Sequence, residues 1–173
     1  MKNGLLVSLG TLLCFISVFV PDRVGMAASS AVPIVNAGFE QQVVGGVIPG
    51  WRQTYGNGVT TATYGISSAA KHTGSFSLRL DDGSATAALG LESDRFPVTA
   101  GIHYSASAMF QVERGRLAIY LQFFNAAGTR IGNTSGWVDP AEGAWIAGSV
   151  SGMAPAEAVT GSVLLYSSST GQG

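Results

Sequence analysis

Cysteine, histidine and charge are all scarce in this sequence. One Cys and two His in 173 residues exclude a disulfide framework and leave too few soft ligands for a structural zinc centre, which needs a full tetrahedral set. Charged residues make up 11% of the chain, less than half of the roughly 25% usual in soluble domains. Nine Lys/Arg against ten Asp/Glu leave a formal charge of -1, so the basic footprint of a nucleic-acid binder is missing. No apolar run reaches the roughly 18 residues of a membrane-spanning helix. Internal repeats and Pro/Ser-rich linkers are also lacking, and the length fits one domain. What is present is 46% hydrophobic residues and 24 Gly, a composition for a folded, turn-rich chain rather than a disordered one.

The longest apolar run, Leu5 to Val20, follows Lys2 and precedes Pro21 and the small-residue stretch Gly25-Met26-Ala27-Ala28. That is the three-part layout of a secretory signal, expected to span residues 1–28 with cleavage near Ala27 or Ala28. Cys14 follows Leu13, not a small residue, which argues against lipid attachment. Export therefore predicts a secreted, thiol-free chain, extracellular or at the cell surface and not membrane-held once the signal is removed. It must fold on its apolar core alone, which is adequate at this size.

The remainder alternates with a period of two. Phe76, Leu78 and Leu80 interleave with Ser77, Arg79 and Asp81; Tyr104, Ala106, Ala108 and Phe110 with Ser105, Ser107 and Met109; Leu117, Ile119, Leu121 and Phe123 with Ala118, Tyr120, Gln122 and Phe124. Ala87, Leu89 and Leu91 form a shorter version, and Val163 to Tyr166 another. Turn chemistry separates these runs at Asp82-Gly83-Ser84, Thr99-Ala100-Gly101, Glu113-Arg114-Gly115 and Asn125-Ala126-Ala127-Gly128. Many short half-buried strands between turns predict an all-β sandwich or barrel, with the strand order left open.

Asn36-Ala37-Gly38-Phe39-Glu40, Ile48-Pro49-Gly50-Trp51 and His72-Thr73-Gly74-Ser75-Phe76-Ser77-Leu78 occur in this order. They are followed by Pro97-Val98-Thr99-Ala100-Gly101-Ile102-His103-Tyr104, Phe124-Asn125-Ala126-Ala127-Gly128, Gly143-Ala144-Trp145, and Ala154-Pro155-Ala156-Glu157-Ala158 before Val163-Leu164-Leu165-Tyr166. The ordered set resembles the carbohydrate-binding modules of the galactose-binding-domain-like jelly-roll superfamily, of the type appended to secreted cellulases, xylanases and polysaccharide lyases. It covers residues 32–173. The resemblance implies a jelly-roll β-sandwich that binds polysaccharide or oligosaccharide, with a catalytic domain as a possible C-terminal partner. Members usually finish with one more strand carrying an aromatic and one or two Asp, so the resemblance also implies that the last strand is lacking here.

In that family the carboxylate matching Glu40 helps hold a structural Ca²⁺. Backbone oxygens around His72, Thr73 and Gly74 would supply further ligands, and an Asp of the lacking strand another. Glu40 and Thr73 are thus the candidate metal residues, although a turn-capping role serves Glu40 equally well. For the sugar, strand parity places Tyr120 and Gln122 opposite the Leu117, Ile119, Leu121 stripe, and places Arg79 opposite Leu78 and Leu80. With Tyr166 as a further member, these residues would line a groove that offers ring faces to C–H surfaces and polar groups to hydroxyls. Trp51 and Tyr55 would wall it, with Trp51 equally able to close the core. The same parity also fits a plain solvated outer face. Trp137 and Trp145 are expected to plug the sandwich ends.

Catalysis has little to draw on. Glycoside cleavage needs two carboxyl groups across a cleft. Asp81 and Asp82 are adjacent on a strand and point apart, while Glu92, Asp94, Glu113, Asp139, Glu142 and Glu157 read as turn or surface residues. No Gly-x-Ser-x-Gly elbow is present, and Gly56-Asn57-Gly58 lacks the rest of a nucleotide-binding fingerprint. The chain itself is expected to be non-catalytic. The alternatives are the ancillary front end of a glycan-degrading hydrolase or lyase, and a structural or adhesion module without a sugar ligand.

Overall fold

A computed structural model of the chain describes residues 7–10, 31–84, 86–141 and 143–168. Eleven strands are present among them, β1 (Val7–Gly10), β2 (Trp51–Tyr55), β3 (Ala62–Ser67), β4 (Ser77–Asp82), β5 (Gly90–Ser93), β6 (Phe96–Pro97), β7 (His103–Val112), β8 (Leu117–Phe124), β9 (Arg130–Val138), β10 (Ile146–Met153) and β11 (Thr160–Ser167), with no helix. One sheet runs β10-β7-β1-β4-β3; the other runs β2-β5-β11-β8-β9, with β6 added against β11. Every pairing between named strands is antiparallel. The fold is an all-β jelly-roll sandwich.

The alternating apolar positions build the core between the sheets. Leu78, Leu80, Phe110 and Val112 come from the first sheet, and Leu117, Ile119, Leu121, Val163 and Leu165 from the second; all are fully buried. Tyr104 of β7 reaches Phe123 of β8 across the interior, with ring centroids 6.2 Å apart. Burial at ~25 cal/mol per Å² of apolar surface drives this closure, and a strand pattern of period two is the only one that turns every second residue inward. The Tyr104 to Phe110 and Leu117 to Phe123 stripes lie where their parity predicts. The Ala87-Leu89-Leu91 run is strand only from Gly90 onward, because Leu89 N–H donates to the side chains of Asp82 and Ser167 rather than to a backbone carbonyl.

The candidate signal is described only at Val7–Gly10, which forms β1 between β4 and β7. Val7 is in register with Leu80 and Val112, and Leu9 with Leu78 and Phe110. Cys14, the cleavage region at Ala27 and Ala28, and Glu142 lie outside the described residues.

The Asn36 to Glu40 motif is a clasp. Asn36 and Phe39 both adopt positive φ, 50° and 59°, a region that disfavours bulky side chains. What holds them there is a set of tertiary contacts. Phe39 N–H donates to Asn36 O, the Asn36 side chain accepts from Gln41 N–H, and Trp51 Nε1 donates to Asn36 O at 3.3 Å. The Phe39 ring, fully buried, lies 5.0 Å from the Trp51 ring. Trp51 is 3% exposed; it closes the core and does not wall a groove.

Candidate functional site: an aromatic groove on the second sheet

The outward face of the second sheet is set by strand register. On β8, Ala118, Tyr120, Gln122 and Phe124 turn away from the core, as their parity predicts. Tyr166 and Leu164 of β11 stand opposite Ala118 and Tyr120, and Ser162 opposite Gln122. On the far side of β11, Gly90 pairs with Tyr166 and Glu92 with Leu164, while β2 sets Tyr55 against Gly90 and Arg52 against Glu92. On β9, Trp137, Ser135 and Asn133 face Ala118, Tyr120 and Gln122.

Read across the strands, one row is Tyr55, Gly90, Tyr166, Ala118, Trp137. Large and small residues alternate, so each ring has room to lie over a small neighbour. A Cβ built on Gly90 would sit 2.9 Å from Tyr55 Cδ2, which shows that the ring occupies the space a side chain would take. The result is a continuous aromatic cluster of edge-on rings. Tyr55 and Tyr166 are 5.2 Å apart, Tyr120 and Tyr166 5.7 Å, Tyr120 and Trp137 6.3 Å, and Trp137 and Tyr166 6.5 Å. Edge-to-face contacts at these separations are the favoured geometry for aromatic pairs. They fix the rings while leaving apolar surface outward: Tyr55 is 37% and Trp137 41% exposed. The Arg116 guanidinium lies 5.1 Å over the Trp137 ring and is held by Asp139 at 2.6 Å.

Beneath and beside the rings is a polar floor. Glu92 takes Arg52 Nη2 at 3.0 Å and the Ser162 hydroxyl at 2.8 Å, and that hydroxyl also lies 3.3 Å from Gln122 Oε1. Two adjoining depressions open here. The larger, about 380 Å³, is lined by Thr54, Tyr55, Glu92, Gln122, Phe124, Thr129 and Arg130. The other, about 200 Å³, is lined by Tyr55, Tyr120, Gln122, Arg130, Asn133, Leu164 and Tyr166. Partial burial, followed by the nearby Tyr120, Tyr55 and Asp82, raises the Tyr166 phenol above its ordinary value of 10.0.

Of the residues expected in the groove, Tyr55, Tyr120, Gln122 and Tyr166 are brought together. Trp51 is in the core. Arg79 belongs to β4 of the other sheet, where it pairs with Asp81 at 2.8 Å; parity gave its face but not its sheet. Two further expectations need correction. Trp137 does not plug a sandwich end but extends the aromatic cluster. Glu92 is not a surface residue but the buried floor carboxylate. Arg52 and Arg130 were missed, and Glu92 and Trp137 misplaced, because no local sequence pattern marks them as facing this groove; only strand pairing does. Trp145 is half-buried, 5.5 Å from His72.

Glu40 accepts backbone N–H groups from Ser75 and Phe76 at 3.0–3.2 Å, one of its oxygens serving both. Among the described residues no group of three acidic, His or Cys side chains lies together. Glu40 clips the His72-Thr73-Gly74 loop to the first turn, where Gly74 leaves room for it, a Cβ there falling on the carboxylate.

No family model and no curated protein matches the chain. Solved structures do. The enzymatically active domain of tailspike protein 4 from bacteriophage CBA120 superposes with a TM-score of 0.59 at 13% identity, over 71% of this chain and 18% of that one. The likeness is one of fold. The match thus spans under a fifth of that solved domain's length. More distant are a family 22 carbohydrate-binding module of Clostridium thermocellum Xyn10B, with a TM-score of 0.48 at 15% identity over 71% of this chain and 78% of that one, and a xylan-binding domain of the same family, at 0.49 and 16% over 72% and 80%.

Proposed function

We propose that this chain is a secreted, non-catalytic module that binds polysaccharide in the groove of the second sheet and holds an attached enzyme near its substrate. The observation that carries the reading is the cluster Tyr55, Tyr166, Tyr120 and Trp137, set beside a buried polar floor on one open sheet face. Sugars present C–H patches that stack on such rings and hydroxyls that pair with amides, carboxylates and guanidinium groups. A shallow, open groove suits a chain that passes through rather than a small molecule that is enclosed. Glu92 is the one carboxylate lining the two depressions, and it is already held by Arg52 and Ser162, so the acid–base pair of a glycosidase is not assembled there. Localisation raises effective concentration without chemistry. The ancillary front end of a glycan-degrading enzyme is the same reading placed in a longer parent.

A structural or adhesion module is favoured by one feature, the near-complete burial of Gln122, which serves the sheet as well as a ligand. Titration of the folded protein against a panel of soluble glycans, by calorimetry and by affinity electrophoresis, separates the two. Saturable binding lost in Tyr120→Ala and Tyr166→Ala supports the groove; a folded sample that binds none of the panel overturns it.

A further inference from the structure

Arg130 opens β9 and stands opposite Phe124, where a register shift between Phe123 and Phe124 carries it to the mouth of the groove. It lines both depressions. Three of the other Arg side chains have carboxylate partners: Arg52 with Glu92, Arg79 with Asp81, and Arg116 with Asp139. Arg95 lies 3.6 Å over the Phe124 ring and reaches Gly128 O, bracing the loop that leads into β9. Arg130 has no carboxylate within ion-pair distance among the described residues; its contact is the Tyr55 hydroxyl, 3.4 Å from Nη1. The lining of the two depressions therefore holds Arg130 and one acid, Glu92, whose charge Arg52 already balances from beside it.

Given that the groove binds carbohydrate, we propose that Arg130 selects glycans bearing a carboxylate, that is, uronate-containing chains, over neutral ones. A guanidinium presents paired N–H donors that match a carboxylate's two oxygens, and charge-assisted pairs are about twice as strong as neutral ones. Arg130 sits beside Tyr55, so a sugar ring stacked on the Tyr55 and Tyr166 cluster brings its exocyclic C6 substituent, or a branch from its neighbour, within reach of the guanidinium. In a neutral sugar the same donors meet a hydroxyl and gain less.

The test is calorimetric titration of the whole chain with a neutral β-1,4-linked xylo-oligosaccharide and with the same oligosaccharide carrying one glucuronate branch. The acidic ligand is expected to bind about tenfold tighter at low salt. The ratio of the two affinities should fall toward one in 0.5 M NaCl, since exposed charge pairs are screened, and likewise in Arg130→Gln. Equal affinities in the native protein, or a ratio that Arg130→Gln leaves intact, overturn the proposal while leaving carbohydrate binding standing. Binding of neither ligand, nor of any glycan in the wider panel, overturns both.

Discussion

Gly90→Ala probes the packing on which the groove depends. The added Cβ would lie 2.9 Å from Tyr55 Cδ2, 3.2 Å from Tyr55 Cβ and 3.1 Å from Leu164 Cδ1. Carbon atoms settle at about 3.5–4.0 Å, so the Tyr55 ring has to retreat by roughly half an ångström or more. Overpacking of this kind costs about 1–3 kcal/mol. The gain from replacing a strand glycine, about 0.5–1 kcal/mol, offsets part of it. A net loss of about 1–2 kcal/mol corresponds to a fall in Tm of about 3–8 °C for a domain of this size. The same movement pulls Tyr55 off Tyr166, so affinity for a bound oligosaccharide should drop several-fold even where the protein is folded. Thermal unfolding by circular dichroism and calorimetric titration measure the two effects. The Tyr55→Ala background supplies the control, because with the ring gone the cost of Gly90→Ala should shrink by at least half. If the two changes prove additive within about 0.5 kcal/mol, or if Gly90→Ala melts and binds like the native chain, the large-small alternation does not position the rings.

Asp82, 1% exposed, accepts from Ser84 N–H and Leu89 N–H and from the Ser167 hydroxyl; Asp82→Ala should lose about 2–4 kcal/mol in urea unfolding by leaving buried donors unpaired, and a change under about 1 kcal/mol would contradict that network. The raised Tyr166 phenol predicts a pH effect. Its folded pKa exceeds the unfolded value of 10.0, so the stabilisation from keeping it neutral is fully present below 10 and is lost as pH climbs through the folded value. Ultraviolet phenolate titration should show a late-titrating tyrosine that disappears in Tyr166→Phe. Because Glu40 is satisfied by N–H groups, EDTA should leave Tm unchanged, while Glu40→Ala should lower it by a few degrees, the loss of about 1 kcal/mol of hydrogen bonding; a drop of about 5 °C or more in EDTA would establish a cation there. Removing residues 1–28 takes β1 out from between β4 and β7, and amide exchange at 78–80 and 109–112 should then accelerate relative to the full chain; unchanged protection would mean that the two strands close on each other.

Much of this molecule was legible in order of distance along the chain. Alternation over Leu117–Phe124 and Tyr104–Phe110 specified strands and told which side chains face the core, because pleating enforces a period of two whatever the strand pairs with. Gly74 and the Asn125 to Gly128 turn marked where the chain reverses, since glycine reaches positive φ without steric penalty. Those local signals could not say which sheet a strand joins. Arg79 and Tyr120 have the same kind of parity, yet β4 and β8 belong to different layers, and only the pairing of strands far apart in sequence separates them. The groove arises the same way. Tyr55 meets Tyr166 across Gly90, and Trp137 joins them across Ala118, because antiparallel registers between β2, β5, β11, β8 and β9 bring those positions into one row. Sequence by itself determined the faces, since they follow from backbone geometry; the tertiary structure alone decided the neighbours, since contacts between strands far apart in sequence, such as Tyr55 with Tyr166, depend on how the whole core closes.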